Sequence, residues 1–303
     1  MFGNPIRRLV PQRLRDRLRR RREIRKWERL LHESGKHVVP SPHVRPEKLY
    51  VSLTSYPPRF PTLHLTLLTL LQQTVQPDGI LLWIAREDYP RLPRKVKALA
   101  RRGIRICACD DIRSYKKLIF ALETYPDSII VTADDDVSYA PDWLDTLVAG
   151  MGPDERVVIC HRAHRLSLTA TGEIGPYREW AWDVQDPAAR LASDNLVPVG
   201  VGGILYPPGC LSKEVTDRSL FMELSPTADD LWFYWMARRA GTRHRKVGGK
   251  FPRLAWPGSQ EQRLFDDNKI SGNDRQVQAL RQAFGLPCPG RPLKKVRVRS
   301  KQR

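Results

Sequence analysis

Ile129-Ile130-Val131-Thr132-Ala133-Asp134-Asp135-Asp136-Val137 reads as an apolar strand that stops at three consecutive acids. Its first residues are apolar at both odd and even positions, which suits a strand covered by helices on either face. Apolar runs alternate with helix-permissive ones on both sides of it. Strands are expected at 49–53, 80–84, 104–109, 128–132 and 157–161, and helices at 62–73, 93–102, 114–124 and 141–149. Four βα steps in succession predict an α/β fold, a mostly parallel twisted sheet flanked by helices. Residues 165–196 are polar and read as an excursion over one end of the sheet. Residues 199–206 resume as a glycine-rich strand, and 228–240 and 273–284 read as helices, the first ended by Gly241. There is no internal repeat.

Ligands of open α/β sheets bind at the carboxyl ends of the strands, where this acidic triplet falls. Adjacent carboxylates repel, and ionising all of them in a partly buried cleft is costly without a cation. A divalent metal is the simplest compensation. Oxygen ligands select Mg²⁺, Mn²⁺ or Ca²⁺ over zinc, and the missing glycine and late glutamate of an EF-hand disfavour a calcium loop. The alternative, an acidic cap on the helix near Pro141, needs only one aspartate.

The chain has 303 residues and a formal net charge of +19. Its length is enough to hold an ordinary core without disulfides or structural metal. The charge is concentrated at the ends. Residues 1–30 hold twelve Lys/Arg against three acids, and residues 291–303 hold seven basic residues and no acid, so the middle is nearly neutral. Basicity of this kind describes attachment and argues against a nucleic-acid-binding face on the folded part. The arginines at 19–22 beside Ile24, Trp27 and Leu31 suit an anionic membrane surface. No apolar stretch is long enough for a membrane span or a secretory leader, so a cytoplasmic chain, peripheral at the inner face of the plasma membrane, is expected. The expected organisation is a basic helix and linker over 1–46, one catalytic unit over 47–286 and a basic tail over 287–303. The five cysteines are scattered and read as small buried hydrophobes.

An apolar strand ending in Asp-x-Asp inside a βα domain resembles the metal and nucleotide-sugar site of GT-A fold glycosyltransferases of the family 2 type. Four further segments are similar in order. Thr54-Ser55-Tyr56-Pro57-Pro58-Arg59 lies where such enzymes begin to hold the nucleoside. Asp110-Asp111-Ile112-Arg113-Ser114-Tyr115-Lys116-Lys117 resembles the segment that packs on the base and brings a cation to the diphosphate. Val201-Gly202-Gly203-Ile204-Leu205-Tyr206 is similar to the strand beside the donor sugar, and Pro226-Thr227-Ala228-Asp229-Asp230-Leu231-Trp232 to the helix start that supplies the base in inverting members. The resemblance spans roughly residues 48–285. It implies a transferase that moves a sugar from a nucleotide diphosphate to a glycan or glycolipid acceptor, of the kind that builds bacterial envelope polysaccharide. The helix motif reads Asp-Asp where many relatives have Glu-Asp, so either carboxylate is a candidate base.

Such chemistry neutralises the charge developing on the leaving diphosphate. Alternate residues of an extended segment share a side, so Asp134 and Asp136 are expected to hold Mn²⁺ or Mg²⁺ together while Asp135 faces elsewhere, toward a ribose hydroxyl. Lys117 or Lys116 would add fixed positive charge. Asp229 and Asp230 are candidate bases or ordinary caps. Gly202 and Gly203 suggest close approach to a ligand, or a bulge. Trp180, Trp182, Trp232 and Trp235 are candidates for sugar stacking, the last two more in keeping with core. His161 and His164 read as satisfied histidines or as groups near a metal. Two other classes compete: a nucleic-acid-binding protein, and a metal-dependent nucleotidyltransferase or phosphohydrolase built on the same carboxylates.

Overall fold

The computed structural model describes residues 12–152, 156–259 and 272–287. The expected C-terminal basic tail, Cys288 and the first eleven residues lie outside the described residues. The expected α/β class is what the structure shows. A seven-stranded sheet has the order β11-β7-β10-β6-β2-β4-β5, built from β2 (Leu49–Thr54), β4 (Gly79–Ala85), β5 (Ile104–Cys109), β6 (Ile129–Ala133), β7 (Val157–Cys160), β10 (Ile204–Tyr206) and β11 (Arg243–Lys246). Only β10 runs antiparallel to its neighbours. Two short pairs complete the strands: β1 (Ser41–Pro42) with β3 (Val75–Gln76), and β8 (Ala163–Arg165) with β9 (Leu196–Pro198).

The period-2 pattern sorts each central strand onto two cores. Leu49, Val51 and Leu53, with Ile129 and Val131, meet α2 (Phe60–Leu70), α3 (Arg94–Ala98) and α5 (Trp143–Ala149). Tyr50 and Ile130 face the other way, onto α4 (Lys116–Thr124), α6 (Arg218–Leu224), α7 (Asp229–Arg239) and α8 (Gly272–Phe284). Helices on both faces explain why β4 and β6 are buried along their whole length. The β8–β9 ladder closes the base of the polar excursion, which returns to the sheet after looping out.

One strand departs from the sequence reading, and another gives no signal of its own in the sequence. Residues 199–206 do not form one strand: Gly200–Gly202 is a 3-10 turn and only Ile204–Tyr206 enters the sheet. The break is at Gly203, whose φ is +90°, and a Cβ there would strike the Trp143 indole. β11 has no apolar alternation at all. Its inward residues are His244 and Lys246, the latter buried with its ammonium on the carbonyls of residues 247–249.

The basic helix α1 (Gln12–Gly35) is docked on the fold. Leu31, Ile24 and Trp27 pack with Leu65, Leu68 and Trp256, and Glu28 pairs with His64 at 2.7 Å and with Lys95. No helix among the described residues is long and apolar enough to cross a membrane.

Candidate functional site

Strands β2 and β6 are parallel neighbours, with Leu53 beside Ala133 in register. The residues that follow each therefore emerge together at the carboxyl edge of the sheet. Thr54, Ser55, Tyr56 and Arg59 come from one strand end, and Asp134, Asp135 and Asp136 from the other. Between this edge, the start of α4 and the start of α7 lies a cleft of about 810 Å³.

A buried cation organises one half of it. Lys117, 5% exposed, reaches Asp134 Oδ1 at 3.0 Å and Asp229 Oδ2 at 3.1 Å. Burial opposes the lysine's charge, but Asp134, Asp229 and Asp230 outweigh it and hold the ammonium well above the ordinary lysine range. Asp230 Oδ2 accepts the Gly200 N–H at 2.9 Å. Burial and the neighbouring Asp229 push Asp230 up to about 7, against the pull of Lys117 and Gly200. Neither aspartate caps α7, whose N-cap is Ala228 without a side-chain cap.

The other half centres on Arg59. Its Nη1 pairs with Asp136 Oδ2, and Ser55 Oγ donates to Asp135 Oδ2. Burial, with the charge of Asp136 beside it, pushes Asp135 up to about 7 in spite of Arg59. Asp134 and Asp136 are thus drawn to different cations, Lys117 and Arg59, where the sequence suggested that they share one.

The remaining expected residues divide. Thr54, Tyr56, Asp111, Arg113 and Lys116 line the cleft. Thr54 Oγ1 donates to the Trp83 carbonyl at 2.8 Å, Arg113 Nη1 to the Pro226 carbonyl at 2.9 Å, and the Lys116 ammonium turns to Asp111. Asp110 lies outside the cleft, exposed, between Arg86 and Arg218. Gly202 and Gly203 are also outside its lining: the Gly202 carbonyl accepts the Trp143 indole N–H at 2.7 Å. Gly203 makes room for Trp143, and Gly202 for the backbone of Arg162.

Other residues in the site carried no sequence signal. Gly200 is one: a Cβ there would sit 2.8 Å from Lys117 Nζ and 2.9 Å from Asp230 Oδ1. Tyr139 is another, its hydroxyl accepting the Asp134 N–H at 2.8 Å from deep in the core. Arg162, His164 and Tyr177 line the cleft with Trp182, which is 41% exposed, while Trp180, Trp232 and Trp235 are core. His161 bonds the Trp143 carbonyl, and His164 Nδ1 accepts the Asp183 N–H, so both are satisfied histidines.

No family model matches the chain, and no curated protein matches it. Several solved structures are similar in shape. The 4-diphosphocytidyl-2C-methyl-D-erythritolsynthase from Anaerococcus prevotii DSM 20548 has 15% identity and a TM-score of 0.44, over 71% of this chain and 92% of that one. S. aureus TarS 1-349 has 12% identity and a TM-score of 0.42, over 68% of this chain and 59% of that one. GalNAc-T7 with UDP, GalNAc and Mn²⁺ has 12% identity and a TM-score of 0.49, over 80% of this chain and 49% of that one.

Proposed function

We propose that the cleft transfers a sugar from a nucleotide-diphosphate donor to a glycan or glycolipid acceptor of the bacterial envelope, in the manner of GT-A glycosyltransferases and with Mn²⁺ or Mg²⁺. One observation carries this reading. Five carboxylates, Asp134, Asp135, Asp136, Asp229 and Asp230, converge on a single cleft, where Lys117 bridges Asp134 and Asp229 and Arg59 holds Asp136. Arg113, Lys116, Arg162 and Arg253 also line the cleft, so what suits Mg²⁺ or Mn²⁺ is the local clustering of hard carboxylate oxygens and not net charge.

Among the described residues no three His, Cys, Asp or Glu side chains form a ready metal cage. An ion in the cleft would be held by one or two carboxylates, with substrate phosphates completing its shell. Asp134 would hold it, joined by Asp136 once that side chain leaves Arg59. When bound, the cation supplies Lewis-acid neutralisation of the departing diphosphate.

The chain's own groups do the rest. Lys117 is a fixed positive charge, already ordered by Asp134 and Asp229, for a developing anion. Asp230 is the better base, favouring an inverting reaction: it sits near 7, matched to taking a hydroxyl proton at neutral pH. Its Oδ2 is anchored by Gly200, and its Oδ1 has no hydrogen-bond partner among the described residues. Thr54, Ser55, Tyr56 and Arg59 would hold the nucleoside end, with Asp111, Arg113 and Lys116 beside it. The exposed indole of Trp182, packed on His164 and Tyr177, offers an apolar face to a sugar ring.

Residues 1–46 would attach the catalytic unit, 47–286, to an anionic membrane surface, with the basic tail as a second contact. In α1 the apolar Leu14 and Leu18 are exposed among arginines. The test is a thermal-shift panel of nucleotide sugars with Mn²⁺ and Mg²⁺, followed by product analysis. Stabilisation by one nucleotide family and release of a nucleoside diphosphate, both lost in Asp134→Asn, are expected. No response to any nucleotide with either ion would sink the reading, and release of pyrophosphate would transfer it to a nucleotidyltransferase.

A further inference from the structure

The backbone that carries the acidic triplet is clipped to a segment that is otherwise irregular. Val137 and Ala255 form an antiparallel bridge, the Ser138 N–H donates to the Leu254 carbonyl at 2.9 Å, and the Trp256 N–H donates to the Asp136 carbonyl at 3.2 Å. We propose that the basic helix α1 helps to build the cleft, its Trp27 being a positioning residue that fixes the backbone of Asp135 and Asp136 through Trp256 and Thr66.

Trp256 is 1% exposed. A buried indole needs a partner for its N–H, and this one donates to Thr66 Oγ1 at 2.7 Å. That hydroxyl has a single hydrogen to give, shared between the carbonyls of Asp135 at 3.0 Å and Val137 at 2.9 Å. Trp256 therefore reaches the triplet twice, once by its backbone N–H and once through Thr66. Its side chain is held in place by two helices: Ile24, Trp27 and Leu31 of α1 pack with it, together with Leu65 and Leu68 of α2. Trp27 meets it edge-on, with ring centroids 5.5 Å apart. Polar contacts secure α1 in turn, Glu28 with His64 and Lys95, and the Leu31 carbonyl accepting from Gln72 at 2.8 Å.

Two rigid rings and one hydroxyl thus join an arginine-rich helix to the peptide units that aim Asp135 and Asp136. Trp27 does not line the cleft, so its influence there passes through these neighbours. Removing Trp27 takes packing from the Trp256 indole, loosens the indole N–H on Thr66, and frees the segment clipped to residues 136–138. Coupling of this kind is shown by non-additive perturbations. The relay stands on these contacts alone; its consequence for a bound cation rests on the glycosyl-transfer reading.

The experiment follows hydrogen exchange of the full chain by mass spectrometry, without nucleotide or metal, in the peptides that contain Ser138 and Trp256. Trp27→Ala should speed exchange there by about tenfold and leave β11, at the edge of the sheet, at its wild-type rate. Trp27→Phe, which keeps a ring against Trp256, should restore protection. Thr66→Val keeps the shape and removes the hydroxyl, and should also speed exchange at both places. The double variant Trp27→Ala with Thr66→Val should fall short of the product of the two single effects. Glu28→Gln loosens the docking of α1 without removing an apolar contact and should give a smaller rise in the same peptides, which serves should Trp27→Ala not fold. Wild-type exchange at these peptides, an equal rise throughout the chain, or effects that simply multiply overturns the relay. In a turnover assay with a nucleotide sugar, Trp27→Ala should raise the Mn²⁺ concentration needed for half-maximal rate several-fold, with kcat at saturating Mn²⁺ near wild type. An unchanged Mn²⁺ requirement overturns the positioning role. Absence of turnover in the wild type sinks the glycosyl-transfer reading instead and leaves the exchange result to decide the relay.

Discussion

Replacing Lys117 by methionine removes the only cation in contact with Asp134 and Asp229 among the described residues. The side chain keeps its length and its burial, so the change is almost purely one of charge. Breaking a buried ion pair by deleting one partner costs about 3–5 kcal/mol, because the other charge stays behind uncompensated. For a chain of this size, with about 2.1 cal/mol/K of unfolding entropy per residue, that corresponds to a fall of roughly 5–8 °C in melting temperature. The cost has a pH signature. Asp230 already sits near 7 with the lysine present, and losing the lysine raises it further. Below that value the aspartate takes a proton and part of the repulsion relaxes, so the penalty should be smaller at about pH 6 than at about pH 8. The assay is differential scanning fluorimetry of wild type and Lys117→Met across that range, repeated with Mn²⁺. The cation should stabilise the variant more than the wild type, since it restores the missing charge. A variant that melts within about 2 °C of wild type at about pH 8 would refute the claim that Lys117 holds these carboxylates together.

Further expectations follow from single contacts. Gly203→Ala combines a strained backbone with a collision against Trp143, and should lower stability by about 3 kcal/mol in urea denaturation while leaving nucleotide affinity of the folded fraction unchanged. Gly200→Ala pushes between Lys117 and Asp230, and should cut turnover by about tenfold to a hundredfold with a smaller effect on melting. His164 and His244, held neutral by burial down to about 3, make stability rise with pH up to about 6.5, because the unfolded chain binds protons that the folded chain does not. Asp230, pushed up to about 7, does the opposite: its contribution is fully present below the unfolded value of about 4 and is lost as pH rises toward 7. Asp230→Asn should therefore tilt the stability profile between about pH 4.5 and 6.5 upward, by about 1.4 kcal/mol per pH unit relative to wild type. An unaltered slope in chemical denaturation would show that Asp230 is ionised throughout.

Much of the fold was legible because its cause is local. Ile129 to Val131 are apolar on both faces, which requires covering layers, and alternation of such strands with helix-permissive segments leaves few topologies. The helix α6 (Arg218–Leu224) gave no periodic signal in so short a run, and β11, Arg-His-Arg-Lys, gave none of a buried strand. Its buried lysine is tolerated because backbone carbonyls surround the ammonium, a compensation that residue type does not announce.

The sequence by itself determined an α/β sheet with an acidic strand end on its ligand-binding edge, since both follow from residue periodicity and from the rule that sites form at the carboxyl ends of strands. Only the tertiary structure decided the pairings: Lys117 on Asp134 and Asp229 while Lys116 turns to Asp111, Arg59 on Asp136, and Gly200 beside the cleft's charges while Gly203 makes room for Trp143. These contacts join segments far apart in the chain. Which of two adjacent side chains meets a given carboxylate depends on the strand order and helix rotation that bring those segments within about 3 Å, the range at which charged partners hydrogen-bond.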